Sequence, residues 1–161
     1  RFDRSHMTAM KKILFVCHGN ICRSTMAEFL MKDLVRRTKQ EGQFLIESAG
    51  TSDEEEGCPV HVGTRRILDA RGIDPSGKRA RKITYSDYDD FDMMIGMDRR
   101  NVMDLIVFFG GDREGKISLF LSHAGEMRDV ADPWYTGDFN TTYKDVVKGL
   151  NALAKELGID I

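Results

Sequence analysis

No apolar run in this chain approaches the roughly 20 residues that span a bilayer, so a membrane-crossing helix is not expected. An excess of either charge is missing too, since 24 Lys and Arg face 26 Asp and Glu for a net charge of −2. That balance gives no global attraction to nucleic acid or to an anionic membrane. Cysteine is scarce: Cys17, Cys22 and Cys58 are odd in number and too few for a disulfide framework. A reduced, cytoplasmic setting is expected, and the thiols are to be explained by packing or by chemistry. The chain has no internal repeat, no low-complexity tract and no linker. No apolar segment follows Arg1 to His6, so these residues do not read as a signal peptide, and Ser5-His6-Met7 reads as a cloning scar. Residues 1–10 are set aside as scar and disordered N-terminus, and 161 residues in all leave one domain over 11–161.

What is present has the pattern of an α/β protein. Lys12 to Cys17 is a short continuous apolar run, as in a strand buried on both faces of a parallel sheet. A polar turn, His18 to Arg23, follows it. Ala27, Leu30, Met31, Leu34 and Val35 then recur at helical spacing, with Thr25 and Glu28 placed as a capping box. Phe44 to Ser48 reads as a second strand, Asp53 to Gly57 as an acidic loop, and Val62 to Arg71 as a helix capped by Gly72. Asp92 to Met97 and Lys116 to Leu121 supply two more strands around a helix from Asp98 to Phe109. A long closing helix carries Tyr143, Val146, Val147, Leu150, Leu153 and Leu157. Strands alternating with helices imply a parallel sheet covered on both faces, with ligands beyond the carboxyl ends of the strands. Cys17 stands at such an end.

The segment Cys17-His18-Gly19-Asn20-Ile21-Cys22-Arg23-Ser24 has Cys, five residues, Arg, Ser between a buried strand and a helix start. Backbone amides converging there bind tetrahedral anions such as phosphate or sulfate. Gly19 and Asn20 tolerate the left-handed conformations that turn amides inward. Arg23 adds a planar, always charged fork for two phosphate oxygens. Amides, helix terminus and guanidinium together favour a thiolate, Ser24 can donate to it, and attack on phosphorus would give a cysteinyl phosphate. The alternative, a cysteine that merely ends a buried strand, suits an isolated thiol better than this pattern. A proton for the leaving oxygen is expected from Asp132 in Asp132-Pro133-Trp134-Tyr135, where proline stiffens the loop and the aromatic rings could bury the acid.

These residues resemble the low-molecular-weight protein tyrosine phosphatases. The resemblance rests on Val16 to Ser24, Glu47-Ser48-Ala49-Gly50-Thr51, Ala80-Arg81-Lys82-Ile83-Thr84, Met97-Asp98 and Asp132-Pro133-Trp134-Tyr135, and spans about Lys12 to Leu157. It implies a three-layer sandwich with a four-stranded parallel sheet, and hydrolysis of phosphotyrosine in proteins or peptides without metal or other cofactor. By position it implies Cys17 as nucleophile, Arg23 as transition-state clamp and Asp132 as acid and later base. Asn20, Ser24 and Ser48 match the family's supporting hydrogen bonds, and Cys22 matches a loop cysteine that can protect the nucleophile as a disulfide or simply pack. Trp134, Tyr135 and Glu54 fall on the pocket wall. His18 replaces a leucine on the rim, Glu54 stands where an aromatic wall residue is common, Lys78 replaces a supporting histidine, and Thr25 replaces a proline.

Three other readings share parts of this pattern. A thioredoxin-coupled arsenate reductase needs two further cysteines, and only Cys58 lies outside the loop. A protein arginine phosphatase resembles the chain but carries threonine where Ile21 stands. A silent phosphopeptide-binding module would need neither Cys17 nor Asp132.

Overall fold

The structure, a computed structural model, describes residues 10–161. Residues 1–9, most of the segment read as scar and disordered terminus, lie outside the described residues.

Strand β1 (Lys11–Cys17) is buried from Ile13 onward. Its side chains alternate between faces, so Ile13, Phe15 and Cys17 enter one core and Leu14 and Val16 another. Strands β2 (Phe44–Gly50), β3 (Met93–Gly96) and β4 (Ile117–Leu119) complete a sheet of order β2-β1-β3-β4 in which every pairing is parallel. Helices α1 (Arg23–Arg37), α2 (Val62–Asp69) and α6 (Phe139–Glu156) bring Met26, Met31, Ile67, Val146 and Leu150 into the Phe15 core. On the other face, α3 (Asp87–Asp90) and α4 (Arg99–Phe109) bring Tyr88 and Leu105 to Leu14 and Val16. The single turn α5 (Pro133–Thr136) precedes α6. This is the expected α/β fold with a four-stranded parallel sheet and helices on both faces.

β1 has β2 on one side and β3 on the other, so the sheet order reverses there. The connections leaving the carboxyl ends diverge at such a point and open a crevice. Cys17 sits at its mouth.

The element boundaries differ from the sequence expectations for local reasons. The capping box of Thr25 and Glu28 does not form, because α1 starts at Arg23 with Cys22 as its cap residue. Thr25 Oγ1 donates to the Cys22 carbonyl at 3.0 Å, and Glu28 turns inward. β2 runs two residues past Ser48, while β4 stops at Leu119 because Phe120–Ala124 winds into a 3-10 turn. α2 ends at Asp69 on Ala70, leaving Gly72 (φ 71°) in the turn beyond. α6 begins four residues before Tyr143, because the Asp138 carboxylate accepts from the amides of Asn140 and Thr141.

Candidate active site

The turn from β1 into α1 wraps around the Cys17 sulfur. The Asn20 amide donates to Sγ at 3.3 Å, and Ser24 Oγ lies 3.0 Å from it. Asn20 makes the turn possible through a left-handed backbone (φ 59°) and a side chain spent entirely on structure. Its Nδ2 donates to Ser24 Oγ at 2.8 Å and to Ser48 Oγ at 2.9 Å, and its Oδ1 accepts from the Arg81 amide at 3.1 Å. Gly19 departs from the expectation, for it is not left-handed. A β-carbon there would stand 3.2 Å from Glu55 Cγ, a tight contact that a shift of the Glu55 side chain by a few tenths of an ångström would relieve. Gly50 matters more than its place at a strand end suggested: a β-carbon would approach the His18 carbonyl oxygen to 2.7 Å.

Arg23 is 3 % exposed, and three acceptors orient its fork. Nη1 donates to Asp98 Oδ2 at 2.8 Å and to the Val130 carbonyl at 3.2 Å, while Nη2 donates to Asp132 Oδ2 at 3.2 Å. Burial opposes its charge, but Cys17, Asp132 and Asp98 outweigh that and raise its pKa above the ordinary arginine value. Cys22 faces the opposite balance. Burial first, then the neighbouring Cys17 and Asp132, push its thiol up to about 12, so near neutral pH Cys22 is a protonated packing thiol.

Asp132 caps α5, its Oδ1 accepting from the Trp134 amide at 3.0 Å. The expected burial of this carboxyl by the two aromatic rings is not found. The turn of α5 directs both outward, leaving Trp134 68 % and Tyr135 85 % exposed. They form the lip of the cleft rather than a cover.

That cleft, of about 580 Å³, unites the residues singled out in the sequence. Cys17, His18, Gly19, Ile21, Cys22 and Arg23 line it together with Asp132, Trp134 and Tyr135, and Glu54 closes one side. His18 Nε2 lies 3.4 Å from Glu54 Oε2 at the exposed rim. Asn20, Ser24 and Ser48 stand behind the loop, each at most 1 % exposed.

Sequence reasoning missed two residues of this assembly. Asp98 had been quoted within a motif but given no role; one oxygen accepts from the Asn101 amide to cap α4 and the other holds Arg23. Its cap spacing was legible, whereas a partner 75 positions away was not. Glu28, buried at 2 %, accepts from Ser48 Oγ at 2.5 Å and from Lys32 Nζ at 2.6 Å. One signal was available, since Glu28 follows Ser24 by four residues and shares its face of α1. Lys78, which stands in place of a supporting histidine, lies within hydrogen-bond reach of the same group. Its Nζ donates to the Ser48 carbonyl at 2.8 Å and pairs with Glu28 at 3.2 Å.

Known proteins are similar to this chain in sequence and in fold. The model of the low molecular weight phosphotyrosine protein phosphatases matches residues 12–160. The low molecular weight protein-tyrosine-phosphatase YfkJ of Bacillus subtilis is 38% identical over 146 residues, covering 89% of this chain and 94% of its own. The YfkJ crystal structure superposes with a TM-score of 0.89 at 37% identity, over 92% of this chain and 95% of its own. SP-PTP, a low molecular weight protein tyrosine phosphatase from Streptococcus pyogenes, gives a TM-score of 0.82 at 44% identity, covering 92% and 93% of the two chains. The Drosophila arginine phosphatase DARP gives 0.83 at 26% identity, covering 93% and 99%. With its matched segment running from β1 to the end of α6 and its loop closed around Cys17 and Arg23, the chain belongs to the low molecular weight phosphotyrosine protein phosphatase family.

Proposed function

We propose that residues 11–161 form a phosphatase domain that hydrolyses phosphotyrosine in proteins or peptides through a phosphocysteine intermediate. One observation carries the assignment of roles: a sulfur that receives the Asn20 amide and lies beside Ser24 Oγ shares a cleft with a buried guanidinium held between two carboxylates.

Cys17 Sγ attacks phosphorus as the bond to the phenolic oxygen breaks, and the bond's electron pair leaves on that oxygen. Asp132, at the open side of Arg23, supplies its proton. Arg23 meets the charge on the equatorial oxygens from its Nη2 side, because Asp98 and the Val130 carbonyl anchor Nη1. In the second half, Asp132 as carboxylate takes a proton from water, the water oxygen bonds to phosphorus, and the sulfur leaves as thiolate. The amides of the loop would hold a phosphate or sulfate-like anion in the same place. Cys22 is the loop thiol we assign as disulfide partner of Cys17 under mild peroxide; peptide mapping of the oxidised protein checks that crosslink.

Ile21 on the cleft wall supports an aromatic leaving group over a guanidino group, because an apolar side chain gains from a flat ring and offers no hydrogen bond to nitrogen. Turnover of matched phosphotyrosine, phosphoserine and phosphoarginine peptides in the presence of a chelator tests the whole reading. Phosphotyrosine turnover well above the other two is expected. Faster release from phosphoarginine would assign the chain the substrate named for the Drosophila protein, and no release from any would leave a binding module. Among the described residues no helix is long and apolar enough to cross a membrane, and we propose a cytoplasmic enzyme on the reduced state expected for its thiols.

A further inference from the structure

Asp132 follows a short segment whose backbone is held largely by side chains. The Val130 amide donates to the Met97 carbonyl at 2.9 Å, just beyond β3. The peptide plane between Val130 and Ala131 is then gripped on both edges. Arg23 Nη1 donates to the Val130 carbonyl at 3.2 Å, and Asp145 Oδ2 accepts from the Ala131 amide at 3.0 Å. The next plane leads into Asp132, and Thr142 Oγ1 donates to its carbonyl, that of Ala131, at 2.7 Å. The single hydroxyl proton of Thr142 goes there in preference to the Asp138 carbonyl at 3.5 Å. Because a peptide unit is planar, anchoring these atoms fixes the Cα of Asp132.

Both grips on Ala131 come from one face of α6, since Thr142 and Asp145 are three residues apart. Both side chains are buried. Together they satisfy the two backbone groups of Ala131, one supplying an acceptor for its amide and the other a donor for its carbonyl. Asp145 is oriented in turn by Arg128, whose Nη2 donates to the second carboxylate oxygen, Oδ1, at 2.9 Å. Neither Thr142 nor Asp145 lines the cleft. On its far side Asp132 is followed by the exposed Trp134 and Tyr135, whereas both peptide planes before it are anchored. Arg23 shares that anchorage, because it holds the Val130 carbonyl with Nη1 and meets Asp132 with Nη2.

We infer that Thr142 and Asp145 are positioning residues that hold Asp132 beside Arg23 by fixing the backbone of Ala131. The inference rests on Asp132 being the proton donor to the leaving oxygen. Its test measures kcat/KM, which reads only the steps through release of the phenol, on a phosphotyrosine peptide and on dinitrophenyl phosphate. Wild type, Asp145→Ala, Thr142→Val and Thr142→Ser are compared, each also in an Asp132→Ala background. Asp145→Ala and Thr142→Val are each expected to lower kcat/KM for phosphotyrosine by about ten- to a hundredfold, the scale of a displacement of about 1 Å. Dinitrophenyl phosphate, whose leaving group needs no proton, is expected to lose less than about threefold. Thr142→Ser keeps the hydroxyl and recovers the wild-type value. In the Asp132→Ala background neither substitution lowers phosphotyrosine turnover further, because the group they place is gone.

Equal losses on the two esters would overturn the inference. So would a lowered Tm with kcat/KM unmoved, the mark of structural support alone. A further loss in the Asp132→Ala background would overturn it as well, by showing that the pair acts other than through Asp132. Should Asp145→Ala fail to fold, Thr142→Val, which keeps the shape of the side chain, carries the same readouts. Asp132→Ala alone separates the two levels. If it slows both esters equally, the proton-donor reading fails and takes the inference with it; if it is selective and the α6 variants are not, the inference alone fails.

Discussion

Cys17 and Cys22 sit on one loop, and the physics around them gives them different work. Cys17 receives the Asn20 amide, while Cys22 is buried next to Cys17 and Asp132 and has its thiol pushed up to about 12 from 9.0. Iodoacetamide at neutral pH is therefore expected to label Cys17 and leave Cys22 intact, as read by peptide mass spectrometry. The raised value also sets a stability window. A thiol that stays protonated when folded but ionises when unfolded contributes fully below the unfolded value and less as pH rises toward the folded one. Between pH 9 and about 12 the chain is expected to lose up to about 1.4 kcal/mol per pH unit through Cys22. Denaturant titrations below and above pH 9 check this, and Cys22→Ala should flatten the decline even though it removes packing.

Asp132 permits a separate test of proton donation. Its carboxylate both caps α5 and faces Arg23. Asp132→Ala is expected to slow phosphotyrosine hydrolysis by about 10²–10⁴-fold, the usual contribution of a general acid, and to slow an ester of a very acidic phenol far less. Equal losses on both esters would take the proton-donor role away from it.

Helix α6 shows how packing overrides local preference. Gly149 lies within it, and a β-carbon there would fall 2.3 Å from the Phe120 ring, which itself meets Phe15 edge-on at 5.8 Å. Alanine is the better helix former by about 1 kcal/mol. Gly149→Ala is nevertheless expected to destabilise by about 1–3 kcal/mol, as overpacking of a filled core does, and a lowered Tm with unchanged helicity would show it. Elements with a strong period were legible in the sequence: β1 from its unbroken apolar run, α1 and α6 from heptad-like spacing. The short ones were not. α3 and α5 are single turns set by caps and tertiary contacts, with no hydrophobic period to announce them. The same division holds in the site. Cys17, Arg23 and Asn20 were readable because one loop contains them, whereas Asp98 and Glu28 act through partners supplied by distant segments of the fold.

The whole fold converges on one crevice. β1 carries Cys17 to the point where the sheet order reverses, α1 delivers Arg23 and Ser24, β2 delivers Ser48, and the segment before α6 delivers Asp132 across the opening. Because these pieces come from most of the chain, an anion bound among them ties the domain together. Inorganic phosphate at a hundred times its Kd is expected to add about 2.7 kcal/mol to stability by mass action, seen as a rise in Tm. In the proposed cradle the loop amides and Arg23, not the thiol, hold the anion, so Cys17→Ser should keep that rise. Phosphotyrosine peptide turnover by Cys17→Ser, measured beside its phosphate-induced rise in Tm, is the decisive measurement. Turnover at the blank rate with the rise in Tm preserved is the expected result. A variant that keeps even a few per cent of wild-type turnover would contradict Cys17 as the nucleophile.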